Sequence, residues 1–299
     1  AGFIETHLPF QQAEYVKVDP AKVKVFPYLP DCPGVREEIA WFHGAVKHMD
    51  DSVGRILKAL NKAGMEANTV VIFTTDHGAA FPRAKSTLYD SGIGTALLMR
   101  WPAGFKGGRL CAQLINNIDL LPTIIEIAGG QPSVEIQGKS FLPLLKGEAY
   151  DETQKIFSEK NFHDIYDPMR CVRTKKFKYI RSFEERLNPP LSRDIEFSRA
   201  SASMGQKDIY PRPKEELYDL EMDPNEMNNL AQDTGMKKIK EELSNVLEEW
   251  MKETDDPLLK GPMPHPEQAI IREPALTLER QLDSIKQGQK QPKAKFGKI

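Results

Sequence analysis

Cysteine is scarce in this 299-residue sequence, and neither sign of charge dominates. The three cysteines, Cys32, Cys111 and Cys171, are isolated and odd in number, which excludes a disulfide framework and a cysteine zinc site and leaves free or buried thiols. Lysine plus arginine (41) nearly equals aspartate plus glutamate (43), so no overall field attracts nucleic acid or an anionic membrane. An anionic substrate must therefore be held by local groups.

A long apolar run is also missing. No stretch reaches the roughly 20 apolar residues that a membrane span needs, and no basic segment followed by an apolar core opens the chain. The first residue is Ala1 rather than Met. We therefore expect the native amino terminus to lie upstream, in which case the missing signal peptide says little about the compartment.

The first 150 residues alternate between helical and strand patterns. One long, one-faced helical pattern runs from Val35 to Leu60, and a shorter one covers 119–128. Continuous apolar runs over 70–75 and 95–100 predict two buried strands, the first typical of a parallel sheet. Together these patterns predict an α/β domain over residues 1–150.

From residue 151 the pattern changes to short alternating segments, which predict a small antiparallel sheet with one wet face. These segments begin at Lys155, Met169, Phe177 and Glu216. A helical pattern over 236–251 predicts a helix packed on this sheet, giving a smaller α+β domain over 151–262. Two polar stretches predict a long loop over 184–214 and an extended or disordered tail over 263–299.

The first predicted strand ends abruptly at Asp76, His77 and Gly78. The carboxyl end of a parallel strand is where α/β enzymes place polar catalytic groups, although an Asp/Gly turn after a strand is equally common without function. The Asp76 carboxylate suits a hard cation such as Ca²⁺ or Mg²⁺, whereas His77 is more natural on Zn²⁺ or Mn²⁺. The pair leaves the identity of a metal open.

Three further residues have side chains suited to chemistry on an anion. Lys85, in the loop after the strand, offers a point charge that stabilises an anionic group, although most loop lysines are simply solvated. His7, just before Pro9, can donate a proton to a leaving group, although a lone histidine is more often structural. His163 has the same two interpretations.

Eight short segments along the chain contain these residues or lie between and after them. They are Glu5-Thr-His-Leu-Pro-Phe, Val46-Lys-His-Met-Asp-Asp-Ser-Val-Gly, Val71-Ile-Phe-Thr-Thr-Asp-His-Gly, Phe81-Pro-Arg-Ala-Lys-Ser-Thr-Leu-Tyr, Asp119-Leu-Leu-Pro-Thr-Ile, Asp167-Pro-Met-Arg-x-Val-Arg, Glu216-Leu-Tyr-Asp-Leu-x-x-Asp-Pro-x-Glu, and Glu253-Thr-Asp-Asp-Pro. Each is moderately specific by itself. In this order they resemble the sulfatases of the alkaline-phosphatase superfamily, and more narrowly the heparan N-sulfatase (sulfamidase) branch.

The resemblance implies a fold and a set of roles. The fold is an alkaline-phosphatase-like sandwich with a mainly parallel central sheet, followed by the smaller α+β domain. Asp76 and His77 would hold the metal, with His77 where the family more commonly has Asn. Lys85 would contact a sulfate oxygen and offset its charge. His7 would lie near the sulfate and its leaving atom, and His163 near the sugar.

The family's catalytic nucleophile is missing from these residues. Sulfatases form it as a formylglycine from a Cys/Ser-x-Pro-x-Arg motif, and none of the three cysteines lies in one. The paired aspartates that help to hold the metal, expected as Ca²⁺, are missing too. The resemblance thus implies the carboxyl-terminal portion of a longer enzyme, which we expect to be inactive alone.

The resemblance implies that the parent protein hydrolyses a sulfate ester or a sulfamate on a sugar, such as a glycosaminoglycan unit. It also implies a secreted, periplasmic or lysosomal location. Two alternatives stay open. His77 favours a phosphatase or phosphonate hydrolase of the same superfamily, and the missing nucleophile favours a non-catalytic sulfatase-like protein that binds sulfated carbohydrate.

Overall fold

The computed structural model describes residues 1–10, 17–163, 165–184, 190–204 and 212–263. The helices are α1 (Pro33–Lys62), α2 (Asp90–Ile93), α3 (Leu120–Ile127), α4 (Leu142–Lys146), α5 (Arg193–Glu196), α6 (Arg199–Ser203) and α7 (Lys237–Glu253). The strands are β1 (Val71–Thr74), β2 (Leu97–Arg100), β3 (Lys155–Phe162), β4 (Tyr166–Thr174), β5 (Phe177–Ser182) and β6 (Glu215–Asp219).

The long helix α1 confirms the helical pattern of the sequence. Proline at its first position fixes a helical φ, and Gly64 follows its end with a φ of +67°. Val35 and Ile39 on its buried face pack in one cluster with Phe81 of the loop after β1. The cluster fixes that loop, and with it Lys85, against the helix.

The strands β1 and β2 pair antiparallel, with Val71 opposite Arg100, so the described residues do not show the predicted mainly parallel sheet. Residues 75–96 connect them with only the one-turn helix α2, whereas parallel neighbours are usually joined through a full crossover helix. The strands are also less buried than predicted, since Leu98 is 61% exposed. An apolar run predicts a strand, but it does not predict which strand pairs with it or how deeply the strand is buried.

The strands β3, β4, β5 and β6 form an antiparallel sheet in chain order, as the alternating segments predicted. One face, including Val172, Tyr179 and Leu217, packs against α7 through Leu243 and Leu247. The prediction of a helix on this sheet is therefore confirmed. The division into two domains at residue 150 stays a prediction.

The second face of this sheet is buried, so the prediction of one wet face is wrong. Cys171 and Ile180 on this face pack with Leu88 and Tyr89 from the segment before α2. Lys178 also points to this side and is fully buried. The charged residues that suggested contact with water are instead neutralised inside the protein.

A buried ion-pair cluster neutralises Lys178. Its ammonium lies 2.5 Å from the Asp90 carboxylate and 2.8 Å from that of Glu226, and it donates to the Leu88 carbonyl oxygen at 3.1 Å. Arg173 adds a second cation, 2.9 Å from Asp90. The cluster joins the sheet to the start of α2 and contains two positive and two negative side chains.

A second set of buried charges lies between the sheet and the end of α7. Arg170 forms a two-point pair with Asp256, at 2.5 and 3.0 Å. Asp167 lies 2.7 Å from the Lys160 ammonium and 2.5 Å from the Arg212 guanidinium. Asp167 and Arg170 belong to the Asp-Pro-Met-Arg segment and Asp256 belongs to the Thr-Asp-Asp-Pro segment, so both segments contribute to these buried ion pairs.

Acidification is expected to destabilise the protein through these pairs. Burial raises the pKa of Asp90 and Asp167, but their cationic neighbours outweigh it, and each pKa is lowered. The stability that these ionised carboxylates contribute is present above their pKa in the unfolded chain, about 3.9. It is lost as the pH falls through their lower pKa values in the folded protein. Burial raises the pKa of Glu226, which opposes this trend in part. We expect the free energy of unfolding in urea to be lower at pH 3.5 than at pH 7.

The variant Asp167→Asn should reduce this pH dependence, because the unfolded chain then gains one proton fewer on acidification. Equal or greater stability of the wild-type protein at pH 3.5 would contradict the assignment of these carboxylates as ionised partners.

Two polar stretches were predicted as irregular. The described part of 184–214 contains α5 and α6, so the prediction of a loop throughout is wrong. Buried Ile195 and Ala200 anchor these helices in the cluster around α1. The predicted tail beyond Met263 lies outside the described residues. Among the described residues, no helix is long and apolar enough to span a membrane.

Candidate active site

The loop after β1 places Lys85 by a series of short turns. The Lys85 amide donates to the Ala79 carbonyl oxygen at 3.1 Å, and Gly78 donates to the Gly92 carbonyl oxygen at 2.8 Å. A Cβ atom at Gly78 would lie 1.8 Å from the Ser91 carbonyl oxygen, so only glycine fits there. The Asp-His-Gly motif therefore brings the end of β1 against α2. The hydrogen bond to Ala79 fixes the Lys85 backbone within the same loop.

The Lys85 side chain is buried and paired. Its ammonium lies 2.6 Å from an Asp194 carboxylate oxygen, which the sequence did not point to. Burial raises the pKa of Asp194, but the hydrogen bond and charge of Lys85 outweigh it, and that pKa is lowered. Asp194 thus engages one of the three hydrogen-bond donors of the Lys85 ammonium.

The same Asp194 carboxylate faces His7. The His7 Nδ1 atom lies 2.5 Å from the Leu8 carbonyl oxygen, which can only accept, so Nδ1 carries a hydrogen. The other ring nitrogen, Nε2, lies 3.8 Å from the Asp194 oxygen that binds Lys85. Two residues from separate segments of the chain thus converge on one carboxylate, with His7 still half-exposed.

Asp76 and His77 lie beside each other at the end of β1. The His77 Nδ1 atom lies 2.7 Å from the Gly78 carbonyl oxygen, which leaves the Nε2 lone pair free to bind a cation. That Nε2 atom is 3.6 Å from an Asp76 oxygen, so both donors fit one side of a divalent cation. Within the described ranges, no group of three or more His, Cys, Asp or Glu side chains forms a fuller ligand set.

One cavity of about 1040 Å³ unites four of the five predicted site residues, namely His7, Asp76, His77 and Lys85. Its wall also includes His43 and Asp50 of α1. Cationic, imidazole and carboxylate groups therefore face a common space large enough for a sugar-sized ligand.

The fifth residue, His163, lines a neighbouring cavity of about 910 Å³. His7 and Lys85 border both cavities, and Asp194 borders only the second. The structure thus places His163 near the other residues but on the far side of the shared wall. Asp194 was missed because its segment has no periodic pattern, and only the tertiary fold brings it to Lys85.

Two family models match the chain. The model described as "Sulfatase" matches residues 1–130, and the model of the N-sulphoglucosamine sulphohydrolase C-terminal region matches residues 80–189. All four predicted site residues in the first cavity fall within the first match, and Lys85 falls within both.

Relatives with known activities agree with these matches. The chain is 31% identical over 270 residues to human N-sulphoglucosamine sulphohydrolase, covering 82% of this chain and 53% of that protein. It is 30% identical over 253 residues to an ulvan-active sulfatase of Formosa agariphila, covering 80% and 42%. A solved 2-O glycosaminoglycan sulfatase is 25% identical with a TM-score of 0.61, over 80% of this chain and 48% of that one. The chain therefore spans about half the length of these relatives.

Proposed function

Because the chain belongs to the sulfatase family, we propose that the whole protein hydrolyses sulfate esters or sulfamates on sugars. The observation that carries the proposal is the single cavity bordered by Lys85, His7, Asp76 and His77. Human N-sulphoglucosamine sulphohydrolase and the 2-O glycosaminoglycan sulfatase support a glycosaminoglycan unit as substrate. The proposed location is secreted, periplasmic or lysosomal.

Each residue has a distinct proposed role. Lys85 binds a sulfate oxygen and offsets the negative charge that grows there, a task that burial makes more effective. Because Nδ1 already carries a hydrogen, His7 acts in its doubly protonated form and donates a hydrogen bond or a proton from Nε2 to the nitrogen or oxygen that leaves the sulfur. His163 contacts the sugar from the second cavity.

In the sulfatase family, this chemistry also needs a divalent cation and a formylglycine nucleophile. A divalent cation, proposed as Ca²⁺ and held in part by Asp76 and His77, would polarise the sulfate oxygens. The formylglycine nucleophile has no place in these 299 residues, because they contain no Cys/Ser-x-Pro-x-Arg motif. The activity is therefore proposed only for the whole protein. We also propose that β1 and β2 join a larger, mainly parallel sheet in the whole protein.

The proposed reaction is tested by measuring inorganic sulfate released by the whole protein from N-sulfated glucosamine and from O-sulfated sugars. A phosphate monoester of the same sugar serves as the competing substrate. Release of sulfate with little release of phosphate is expected. Preferential phosphate release would instead support a phosphatase, and binding without any turnover would support a sulfatase-like binding protein.

Removal of either proposed metal ligand is expected to weaken cation binding. We expect Asp76→Ala and His77→Ala each to lower Ca²⁺ affinity by about 10- to 100-fold in calorimetry, because each removes a direct donor. Asp51→Ala, an exposed carboxylate on α1, is the matched control and should bind normally. Unchanged affinity in both variants would contradict the site, and tighter binding of Zn²⁺ or Mn²⁺ than of Ca²⁺ would reassign its metal.

A further inference from the structure

Asp194 lies where three separate segments of the chain meet. One of its carboxylate oxygens accepts a hydrogen bond from the Lys85 ammonium at 2.6 Å, and the same oxygen lies 3.8 Å from the His7 Nε2 atom. The Asp194 side chain is 17% exposed and that of Lys85 is 6% exposed, so little water competes for this contact. One carboxylate thus lies against both side chains that the proposed reaction places around the sulfate.

One apolar cluster fixes all three segments. Leu8, Phe81 and Ile195, one from each segment, are buried together in this cluster. Leu8 and Ile195 directly follow His7 and Asp194 in sequence, and Phe81 belongs to the loop that carries the lysine. Because protein cores are closely packed, the cluster restricts how far the three segments can shift relative to one another.

The segment that carries Asp194 has a further anchor on α1. Buried Glu38 accepts hydrogen bonds from the backbone amides of Arg199 at 3.1 Å and Ala200 at 2.7 Å, at the start of α6. Ala200 is itself buried in the same apolar cluster. Since only residues 197–198 join α5 to α6, this anchor also limits the movement of Asp194 on α5.

Asp194 does not line the cavity that is proposed to hold the sulfate. It borders only the second cavity, whereas Lys85 and His7 border both. A carboxylate inside the first cavity would repel a sulfate. From outside that cavity, it can hold the ammonium through one of its three donors without contacting the substrate.

We propose that Asp194 is a positioning residue of the candidate active site, which fixes the Lys85 ammonium and the His7 ring relative to each other so that both face one sulfate group. The inference rests on the proposed function, because the roles of Lys85 and His7 belong to it. A displacement of about 1 Å in an active site can cost about 100-fold in rate. A contact that holds two such groups therefore affects the reaction without touching the substrate.

The first test compares sulfate release by the whole protein carrying Asp194→Ala or Asp194→Asn. Asp194→Ala should lower kcat about 10- to 100-fold, with a smaller change in KM, because the charge that Lys85 offsets grows towards the transition state. Asp194→Asn keeps an oxygen that can accept from Lys85 and should retain more of kcat. The matched control is Asp151→Ala, which breaks an exposed ion pair with Lys139 outside both cavities and should change neither constant.

The second test follows Lys85 itself and does not depend on the reaction. Limited acetylation of the folded whole protein by an activated acetate ester, read by mass spectrometry, measures how readily each lysine amine is reached. Lys85 should react faster in Asp194→Ala than in the wild-type protein, because it loses the contact that holds it. Exposed Lys58 should react equally in both proteins.

Three results would each overturn the inference. They are unchanged acetylation of Lys85 in Asp194→Ala, an unchanged kcat in that variant, and an equal loss of kcat in Asp194→Ala and Asp194→Asn, which would assign the effect to charge rather than to placement. If the wild-type whole protein releases no sulfate, the proposed function fails, and the acetylation result still shows whether Asp194 holds Lys85 in place.

Discussion

Replacing Lys85 with alanine is expected to lower kcat/KM for sulfate release by the whole protein about 10²- to 10³-fold, the usual cost of removing one group that stabilises developing negative charge. Lys85 is buried and lines the cavity with His7, Asp76 and His77, where its ammonium is placed to meet an anionic group. Initial rates of sulfate release over a range of substrate concentrations measure the effect.

Two further variants identify the cause of that loss. Lys85→Arg keeps a cation next to Asp194 and should retain more activity than Lys85→Ala, which removes the charge. Lys58→Ala removes an exposed lysine from α1 and should leave the rate unchanged. If Lys85→Ala stays folded by circular dichroism yet loses less than threefold, Lys85 does not stabilise the reacting sulfate.

The second large effect is expected on stability. Lys178→Met leaves the buried Glu226 carboxylate and the half-buried Asp90 carboxylate without their shared cation, and breaking a buried pair typically costs about 3–5 kcal/mol. Arg173 still neutralises Asp90 in part, which keeps the loss within this range. Urea unfolding at pH 7 measures the free energy of unfolding of the variant and of the wild-type protein.

Lys176→Met is the matched control for this substitution. Lys176 lies two residues earlier, with its side chain 49% exposed, and its ion pairs with Asp219 and Glu221 are long, at 3.9 and 3.4 Å. Such pairs are worth about 0–1 kcal/mol, so little change is expected. A similarly small loss in Lys178→Met would contradict the prediction that the buried cluster stabilises the fold.

The fold was predictable where local pattern decides it. Helical spacing located α1 and α7, and alternation located the strands of the β3–β6 sheet. The pairing of β1 with β2 was not predictable, since an apolar run does not name its partner strand. The burial of Lys178 was missed for a similar reason: a lysine in an alternating strand indicates a wet face until a distant Asp90 and Glu226 are brought to it.

The residues of the candidate site were likewise predictable only in part. Lys85, His7, Asp76 and His77 were assigned through the ordered segments that resemble sulfatases, and the structure groups them around one cavity, while their roles stay predictions. Asp194 has no such signal, because its importance arises only when its segment folds against the loop that holds Lys85. Ion pairs between segments far apart in sequence depend on tertiary structure.

The pair between Lys85 and Asp194 has a consequence for product release. Asp194 acts as a tethered competitor for the Lys85 ammonium, always present at high effective concentration. Under the proposed role of Lys85, a sulfate shares the ammonium with Asp194; free sulfate has no sugar to add binding energy, whereas a sulfate still attached to a sugar is helped by the rest of the substrate. We therefore expect this arrangement to favour departure of the inorganic product and to limit its inhibition of the next turnover.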